Sequence, residues 1–523
     1  MAITTAKVTR NNHSGRVLFP AVYSAAAAMA LLSAHSGAAD WKIAPTLDLK
    51  ETYSDNITLA PAGNEKSDFV TQINPGIALT GTGPRLKVDA RYGLQNLIYA
   101  EDSRRNATRH QLNAGAHAEL LDDFLFLDGK ASISQQNISA FGPQTTDNVN
   151  ATNNLTETRT YSISPYLRHR FGSTASSELR YTHDGVDAST GGYLASQSDR
   201  IQFSLNSGTA FKTLGWGLNY SDQKIDYSNA RTIDMETISG NLRYLVSTKL
   251  SLIATGGYEK NNYLAIGTKP EGSFWSAGFA WTPFERTRIM ANTGRRFFGS
   301  TYSLSANHST RRTAWSVDYS QDITTTRSQF LLPATISTAD FLVQSHLFDS
   351  LPEADRLAAA EAFILANGLP AALAENINYF TNRVFLQKRL QASVALNGVK
   401  NTLVFSVFDM KREAQTAQEM DSALLGTDIL ALNDNTRQTG TNVLWNWRLS
   451  ALTSANMSAG YTRVTSPVTD RKDNIKTIRL GLARKFQPKL NGALDYRHNQ
   501  RDSSQSGGDY RENAITASLH MSF

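Results

Sequence analysis

The chain contains no cysteine among its 523 residues. Disulfide bridges and thiolate metal sites are therefore excluded, and this composition suits a protein exported through an oxidising compartment. Long apolar runs are also scarce. Beyond the first forty residues no stretch is long enough to cross a bilayer as a helix, and the mean hydropathy is −0.35. A helical membrane protein is excluded, whereas a transmembrane β-barrel is not, because its strands carry apolar residues only at alternate positions.

Signatures of common enzymes are missing as well. The sequence has no His-Glu-x-x-His zinc motif, no Gly-x-Ser-x-Gly turn and no phosphate-binding glycine loop. Its histidines are scattered without the spacing of metal ligands. We therefore expect a protein that is not an enzyme, with no catalytic residues, no metal and no cofactor. The formal net charge of +6 falls when basic residues near the N-terminus are set aside, so nucleic-acid binding gains no support.

The N-terminus has the order of a secretory signal peptide. Three basic residues precede an apolar stretch from Val17 to Leu32, and small residues follow up to Ala39. A single transmembrane helix is the alternative, but the apolar stretch is Ala-rich and shorter than the roughly 20 residues that spanning requires. We predict a signal peptide over residues 1–39 and a mature chain beginning near Asp40.

From Trp41 onward, apolar and polar residues alternate in segment after segment. Between Leu86 and Gln95, for example, the apolar residues fall at every second position. This period of two indicates strands with one apolar and one polar face. About 22 such segments (20 to 22) can be recognised, with the region between Thr287 and Gln321 the least certain. We predict an all-β fold, a single antiparallel transmembrane β-barrel over residues 40–523.

The connections between these segments alternate between short and long. A soluble sandwich has no reason to sort its loops in this way, whereas bacterial outer-membrane barrels have short periplasmic turns and long outer loops. The pattern predicts an outer-membrane location in a Gram-negative bacterium, with both termini periplasmic. Short turns are predicted near Gly81–Pro84, Leu121–Asp123, Gly172–Ala175, Ser247–Lys249, Pro283–Arg286 and Asn397–Lys400, and long loops at Gln136–Glu157, His183–Gln197, Ser221–Asp234, Lys260–Glu271, Glu413–Thr436 and His498–Arg511.

The longest connection, residues 321–382, is predicted to be extracellular. Within it, Pro352 to Asn367 is rich in Ala, Glu and Leu and ends before Gly368, which predicts a helix. Two interpretations stay open. The loop either caps or narrows the lumen as a plug or lid, since wide barrels are commonly plugged, or it is an exposed helical loop without contacts.

The last predicted strand alternates strictly and ends on an aromatic residue. This pattern resembles the C-terminal signal of outer-membrane barrels, which the barrel-assembly machinery recognises. We expect this strand to pair with the first strand near Leu47 and Leu49 and so to close the barrel. The residues of the predicted signal are Ile515, Ala517, Leu519, Met521 and Phe523.

If the apolar residues of each strand face lipid, the residues at the alternate positions line the pore. The set of charged residues at those positions is mainly basic, which favours anions or acidic sugars; alternatively, these charges merely hydrate a polar wall. Lys388 departs from this pattern, because it lies among the apolar residues that are predicted to face lipid. Its side chain either extends to the membrane interface or marks a bulge in the strand. The predicted pore-lining residues are Lys50, Lys87, Asp89, Arg91, Arg168, Arg170, Arg288 and Arg296, with Asp48 beside Lys50.

Several stretches carry a family resemblance. They are Glu51–Ile57, Gly294–Gly299, Ser309–Trp315, and Asn382–Phe385 followed by residues 403–413. Together they resemble the outer-membrane proteins associated with the PEP-CTERM/exosortase system, within a broader group of β-barrel porins found near exopolysaccharide genes. The resemblance implies an outer-membrane barrel in a bacterium that makes exopolysaccharide and sorts surface proteins. It implies no reaction, substrate or catalytic residue.

These observations favour a porin-like channel for solutes or saccharides, linked to exopolysaccharide and surface-protein export. The alternative is a non-conducting scaffold that docks other proteins through its outer loops. The expected partners are outer-membrane lipids and lipopolysaccharide, the barrel-assembly machinery and exopolysaccharide export components, with no nucleic acid and no cofactor.

Overall fold

Alternating sequence segments form a long series of β-strands in the computed structural model. The predicted signal peptide (1–39) lies outside the described residues, as does the predicted helix Pro352–Asn367 apart from Arg356 and Ala360, and both remain predictions. The structure describes residues 40–188, 195–228, 232–266, 269–331, 381–416 and 435–523, together with residues 343, 356 and 360.

The strands form one closed antiparallel sheet of 22 strands, as predicted. Each strand pairs with its neighbours in sequence, and β1 pairs with β22. The strands are β1 Asp40–Ser54, β2 Asp68–Thr82, β3 Leu86–Tyr99, β4 Ala107–Leu121, β5 Leu125–Asn137, β6 Leu155–Phe171, β7 Ala175–Ala188, β8 Ser196–Ser207, β9 Leu214–Tyr227, β10 Ile233–Ser247, β11 Leu250–Asn261, β12 Glu271–Phe284, β13 Thr287–Arg296, β14 Gly299–Ser309, β15 Thr313–Thr325, β16 Val384–Asn397, β17 Asn401–Ala414, β18 Asn435–Arg448, β19 Thr453–Ser466, β20 Arg471–Gln487, β21 Leu490–Ser503 and β22 Tyr510–Ser522.

The closing seam lies where the sequence predicts it. Leu47 pairs with Met521 and Leu49 with Leu519, and the amide of Phe523 donates to the carbonyl of Pro45 at 2.9 Å. The number of strands was least certain between Thr287 and Gln321. The structure places three strands there, β13, β14 and β15. The count of 22 is therefore confirmed.

The barrel has two unlike ends, which we call the turn end and the loop end. Connections at the turn end are short, and Asp123 (φ +51°) and Gly172 (φ +57°) take the left-handed conformation that such tight turns use. Most connections at the loop end are longer, although 297–298 and 467–470 are brief. Several strands continue into stretches predicted as loop; β9, for example, extends to Tyr227. Polar sequence there belongs to strands that extend beyond the apolar band.

Side chains alternate between an apolar exterior and a more polar lumen. On β18, Trp445 and Trp447 stay 38% and 41% exposed on the outside, whereas inward Gln438 is fully buried. A continuous exterior of exposed large apolar side chains is typical of a surface that faces lipid. Among the described residues, no helix is long and apolar enough to cross a membrane.

Two helices accompany the strands in the described part of the chain. A 3₁₀ turn, Ser103–Arg105, lies between β3 and β4. A short helix, α1 (Thr326–Leu331), follows β15 at the start of the longest connection. The sequence predicts no helix at α1, because six residues are too few for a recognisable helical period.

Substitutions at two adjacent positions of β14 should lower the stability of the barrel to very different extents. Leu304 faces outward beside Tyr319, whereas Ser305 faces the lumen beside Asp318. Leu304→Arg places a charge against the apolar band and should lower the free energy of unfolding by about 2–4 kcal/mol. Ser305→Arg should have a small effect, because Asp318 offers it a partner. Urea unfolding in lipid vesicles measures both, and equal losses would contradict the assignment of the two faces.

Candidate functional site

The connection between β5 and β6, residues 138–154, turns into the barrel and crosses the lumen; we call it the lumen loop. It leaves the wall at β5 and reaches the inner face of β20, β21 and β22. The guanidinium of Arg501 donates to the carbonyl of Phe141 at 2.6 Å, and Asn150 donates to Glu512 at 2.7 Å. These strands are not neighbours of β5, so the loop spans a chord of the barrel at the loop end.

Side-chain hydrogen bonds give the lumen loop a fixed stem. Asn154 accepts from the amide of Ser139 and donates to the carbonyls of Ser139 and Pro143, all at 2.9–3.0 Å. Asn side chains commonly satisfy backbone groups in turns in this way. Gly142 packs so closely that an added Cβ would lie 2.4 Å from the Asn154 side chain. The stem therefore requires glycine at this position.

The lumen loop is anchored by apolar contacts at both of its ends. Near its start, Phe141 packs in a buried cluster with Val464 and Ile475 of the facing wall. Near its end, fully buried Val149 packs against Leu97 and Tyr99 of β3. These wall residues face the lumen. Burying apolar side chains on both walls stabilises the docked loop.

Ion pairs at the inner wall hold the loop between these anchors. Arg497 contacts Asp147 of the loop at 3.1 Å and Glu512 of β22 at 2.9 Å. Arg501 contacts Asp473 at 2.6 Å, and both side chains are almost fully buried. Removing one partner of such a pair leaves an uncompensated charge, which typically costs about 3–5 kcal/mol. The ion pairs therefore make loop docking sensitive to single substitutions.

The electrostatic surroundings of Asp147 also favour the docked position of the loop. Burial alone would raise the pKa of its carboxyl, but the charges of Arg497, Lys50 and Arg479 outweigh burial and hold the pKa below its ordinary value. The carboxylate is thus charged in the docked loop. One predicted pore residue, Lys50, acts directly on the loop in this way.

Helix α1 forms a second crossing at the loop end. Arg327 donates to Ser196 at 2.9 Å and to the carbonyl of Asp184 at 2.8 Å, and it forms an ion pair with the Asp184 carboxylate. Gln329 meanwhile bonds to Gln387 and Arg412 beside β15. A six-residue helix is only about 9 Å long. The wall at β7 and β8 and the wall at β15–β17 therefore approach each other at this end.

The crossing segments also contact one another. Phe330 and Leu331 of α1 pack with Ile138, the first residue of the lumen loop, around buried Val186. Phe385, where the longest connection returns to the wall, packs in the Phe141 cluster. The two ends of the longest connection thus contact the lumen loop and its apolar cluster. Whether residues 321–382 form a plug or lid or an exposed loop stays a prediction, because most of that connection lies outside the described residues.

A third link joins loops from opposite walls. Ala265, between β11 and β12, forms an isolated bridge with Thr416 after β17, and the amide of Ile266 donates to the carbonyl of Gln415 at 2.8 Å. Val384 packs nearby against Ile225 of β9. The loop end is therefore crossed at several points, whereas the described turn-end connections are short.

The predicted pore residues share the lumen-facing phase but do not form one ring. Lys87, Asp89 and Arg91 pair across the sheet with Thr82, Thr80 and Ala78 of β2. Arg288 lies at the turn end of β13 and Arg296 at its loop end. These positions therefore lie at different heights along the barrel axis.

Three of the predicted pore cations form ion pairs with carboxylates. Arg296 contacts buried Glu259 at 2.6 Å and Asp322 at 2.7 Å. Arg168 contacts Glu178 at 3.1 Å, and Arg91 contacts Asp89 at 3.6 Å. None of these three guanidinium groups is therefore an unpaired charge facing the water of the lumen.

Arg168 and Arg170 lie on β6 near the turn end, beside a rigid cluster on the inner wall. Tyr166 stacks on Phe126 with ring centroids 5.0 Å apart, and Arg180 lies 3.7 Å above the Tyr166 ring. Arg180 also contacts Asp128 at 2.7 Å. The aromatic faces are covered by cations, so this cluster stabilises the wall and leaves little ring surface for a solute.

Two other lumen cations form no ion pair among the described residues. Lys130 is exposed on the inner face of β5, opposite Gly115 and Ser162, and Lys87 is exposed on β3. Within the described ranges, neither has a carboxylate within ion-pair distance. Such water-facing cations give the lumen a positive potential.

Known proteins resemble this chain in structure but not in sequence. No protein-family model and no curated protein matches the sequence. Among solved structures, the siderophore receptor PirA from Pseudomonas aeruginosa aligns with 92% of this chain and 80% of its own, at 9% identity and a TM-score of 0.46. The FrpB iron transporter from Neisseria meningitidis aligns with 92% and 81%, at 10% identity and a TM-score of 0.49.

A third structure is smaller. A loop L8 deletion mutant of OmpT, an outer membrane protein of Vibrio cholerae, aligns with 93% of this chain and all of its own, at 9% identity and a TM-score of 0.33. Identities and TM-scores this low describe a likeness and assign no role to this chain. The strand pairing by itself shows that the chain folds as a closed antiparallel β-barrel of 22 strands.

Replacing Arg497 should loosen the lumen loop. In Arg497→Gln, half-buried Asp147 and buried Glu512 lose their shared cation, so backbone amides of residues 138–154 should exchange hydrogen about tenfold faster or more. Hydrogen exchange followed by mass spectrometry measures this. Arg180→Gln is the matched control, because it removes a lumen ion pair that does not contact the loop. Equal protection in both variants would rule out the proposed docking role of Arg497.

Proposed function

We propose that this protein is an outer-membrane channel for small anionic solutes or saccharides, with the lumen loop as its constriction. The observation that carries the proposal is the loop's route across the lumen, fixed at Asp147 by Arg497 and at Phe141 by Arg501. Fixing a loop inside the lumen at the cost of several buried charges suits a device that restricts passage. A loop without such a role would gain nothing from it.

The proposal assigns sides to the barrel. Longer connections at the loop end and short ones at the turn end fit an extracellular loop end and a periplasmic turn end. Both termini then lie in the periplasm, as the sequence predicts. The proposal involves no catalytic step and no cofactor.

Charge selectivity follows from the unpaired lumen cations. Below the crossing segments, a solute meets Lys130 and Lys87, which have no ion-pair partner among the described residues, so anions are concentrated in the lumen and cations are depleted. Arg296 and Arg168 contribute less than the sequence suggests, because carboxylates neutralise them. Acidic sugars are the saccharides that fit this lumen.

Planar-bilayer recording tests the channel. Wild-type protein should conduct with anion preference, and Arg497→Gln should raise conductance because the constriction loosens. Lys87→Glu together with Lys130→Glu should move the reversal potential towards cation preference by reversing lumen charge. Lys224→Glu is the control, because Lys224 lies on the outer face of β9. An unchanged reversal potential in the double variant would refute the proposed lumen selectivity.

A non-conducting scaffold is the second candidate. It is favoured by the number of segments that cross the loop end, since a fully occluded lumen would pass nothing. Absence of conductance in the wild type, in Arg497→Gln, and after replacement of residues 332–380 by a short linker would favour the scaffold over the channel.

We also propose a link to exopolysaccharide and PEP-CTERM surface-protein export, supported by the resemblance of Glu51–Ile57 and Gly294–Gly299 to proteins of that system. A strain lacking this protein should retain less surface polysaccharide, and the wild-type gene should restore it. Quantified surface sugar measures this. Unchanged polysaccharide and unchanged surface-protein sorting in that strain would exclude the link.

A further inference from the structure

Lys388, which breaks the sequence pattern, belongs to a row of cations on the outside of the barrel. The register is regular at Lys388, so it does not mark a bulge. Lys388 lies directly opposite Lys411 of β17, and Lys411 directly opposite Arg437 of β18. Across β19 the same row continues through Thr465 to Lys472 of β20. We call Lys388, Lys411, Arg437 and Lys472 the cation row.

Such a row is unfavourable for the sheet by itself. Side chains directly opposite on neighbouring strands lie about 4.5–5.5 Å apart, and like charges at these positions repel. Two carboxylates offset part of the charge. Glu413 contacts both Lys388 at 3.5 Å and Lys411 at 2.5 Å, and Asp409 lies 2.8 Å from Arg437. Cations still outnumber carboxylates along the row.

The charged groups are accessible. The side chains of Lys388, Lys411 and Arg437 are 36%, 45% and 55% exposed, and Lys472 is exposed. Nearby Arg463, on the same outer face, donates to Asn474 and lies 6.0 Å from the Tyr461 ring. A ligand approaching from outside the barrel can reach all of these groups.

The height of the row corresponds to the boundary of an apolar band. On β18, Arg437 and outward Trp447 are separated by ten residues, which in a strand tilted by about 45° correspond to roughly 23 Å along the barrel axis. The apolar band of an outer-membrane barrel is about 25 Å tall with aromatic residues at its edges. With Trp447 at the turn-end edge, the cation row lies at the loop-end edge.

The cation surplus is confined to one wall. On the outer face of β8, β9 and β10 near the loop end, acidic residues predominate and Lys224 is accompanied by Asp226 at 3.7 Å. The acidic residues there are Asp199, Asp222, Asp226, Asp234 and Glu236. General solubility of the loop end would not require opposite charges on the two walls.

We propose that the cation row binds the phosphate groups of the phosphorylated glycolipid of the outer leaflet, lipid A. At the loop-end edge of the apolar band, the row meets lipid head groups while the apolar strands below it meet acyl chains. Arg437 can bind a phosphate with two parallel hydrogen bonds, and each Lys adds a point charge. A phosphate between facing cations removes their mutual repulsion. The inference requires the outer-membrane location but not a conducting lumen.

Native mass spectrometry of the detergent-purified full chain, titrated with bis-phosphorylated lipid A, tests the inference. The triple variant Lys388→Gln, Lys411→Gln, Arg437→Gln should bind lipid A at least about tenfold more weakly than wild type. The matched control, Lys224→Gln with Lys260→Gln on the opposite wall, should bind as wild type does. Dephosphorylated lipid A should bind wild type weakly, and millimolar inorganic phosphate should not compete.

Equal binding of lipid A to wild type and triple variant would overturn the proposal. So would equal binding of phosphorylated and dephosphorylated lipid to wild type, a comparison that decides the matter even if the triple variant fails to fold. Displacement of lipid A by inorganic phosphate at low millimolar concentration would identify a free-anion site instead and would likewise overturn it.

Discussion

A strand surrounded by hydrocarbon has no water with which to satisfy its backbone amides and carbonyls, so a sheet in lipid must have no free edge. Here that requirement is met at the seam, where β1 and β22 pair from Thr46↔Ser522 to Ser54↔Ala514. The remaining features depend on this closure. An inner and an outer face are defined only once the cylinder is closed, and the long connections can cross the lumen only because there is one.

The architecture could be predicted from sequence because the rules behind it are local. A period of two identifies strands, and alternating loop length identifies the two ends. A count of about 22 strands (20 to 22) and closure of the last strand against the strand near Leu47 and Leu49 therefore follow without knowledge of tertiary contacts. The individual partners, Met521 and Leu519, come from the structure. Strand ends were harder to place. β9 continues to Tyr227 through polar sequence, because hydrogen bonding between neighbouring strands does not stop where the apolar band stops.

The site was predictable only in part. The alternation of side chains along each strand is enough to place Lys50 and Arg296 in the lumen. The same rule applied to β21 and β22 also places Arg497, Arg501 and Glu512 there. It could not supply their partners, because Asp147 reaches Arg497 from 350 residues away in sequence and no local pattern encodes that approach. One signal was available: Val70, Leu97, Val464 and Ile475 are apolar on the lumen phase, which indicates something docked against them.

The lumen loop emerges between β5 and β6 but is held by β20, β21 and β22, the strands that complete the cylinder. Its partners on these strands are thus synthesised after the loop itself. Before the seam closes, the open sheet would contain an undocked loop, because β5 and β21 come close to each other only through the β1–β22 pairing. Contacts of such high sequence separation form slowly, so this topology favours closure of the barrel first and docking of the loop across its lumen afterwards.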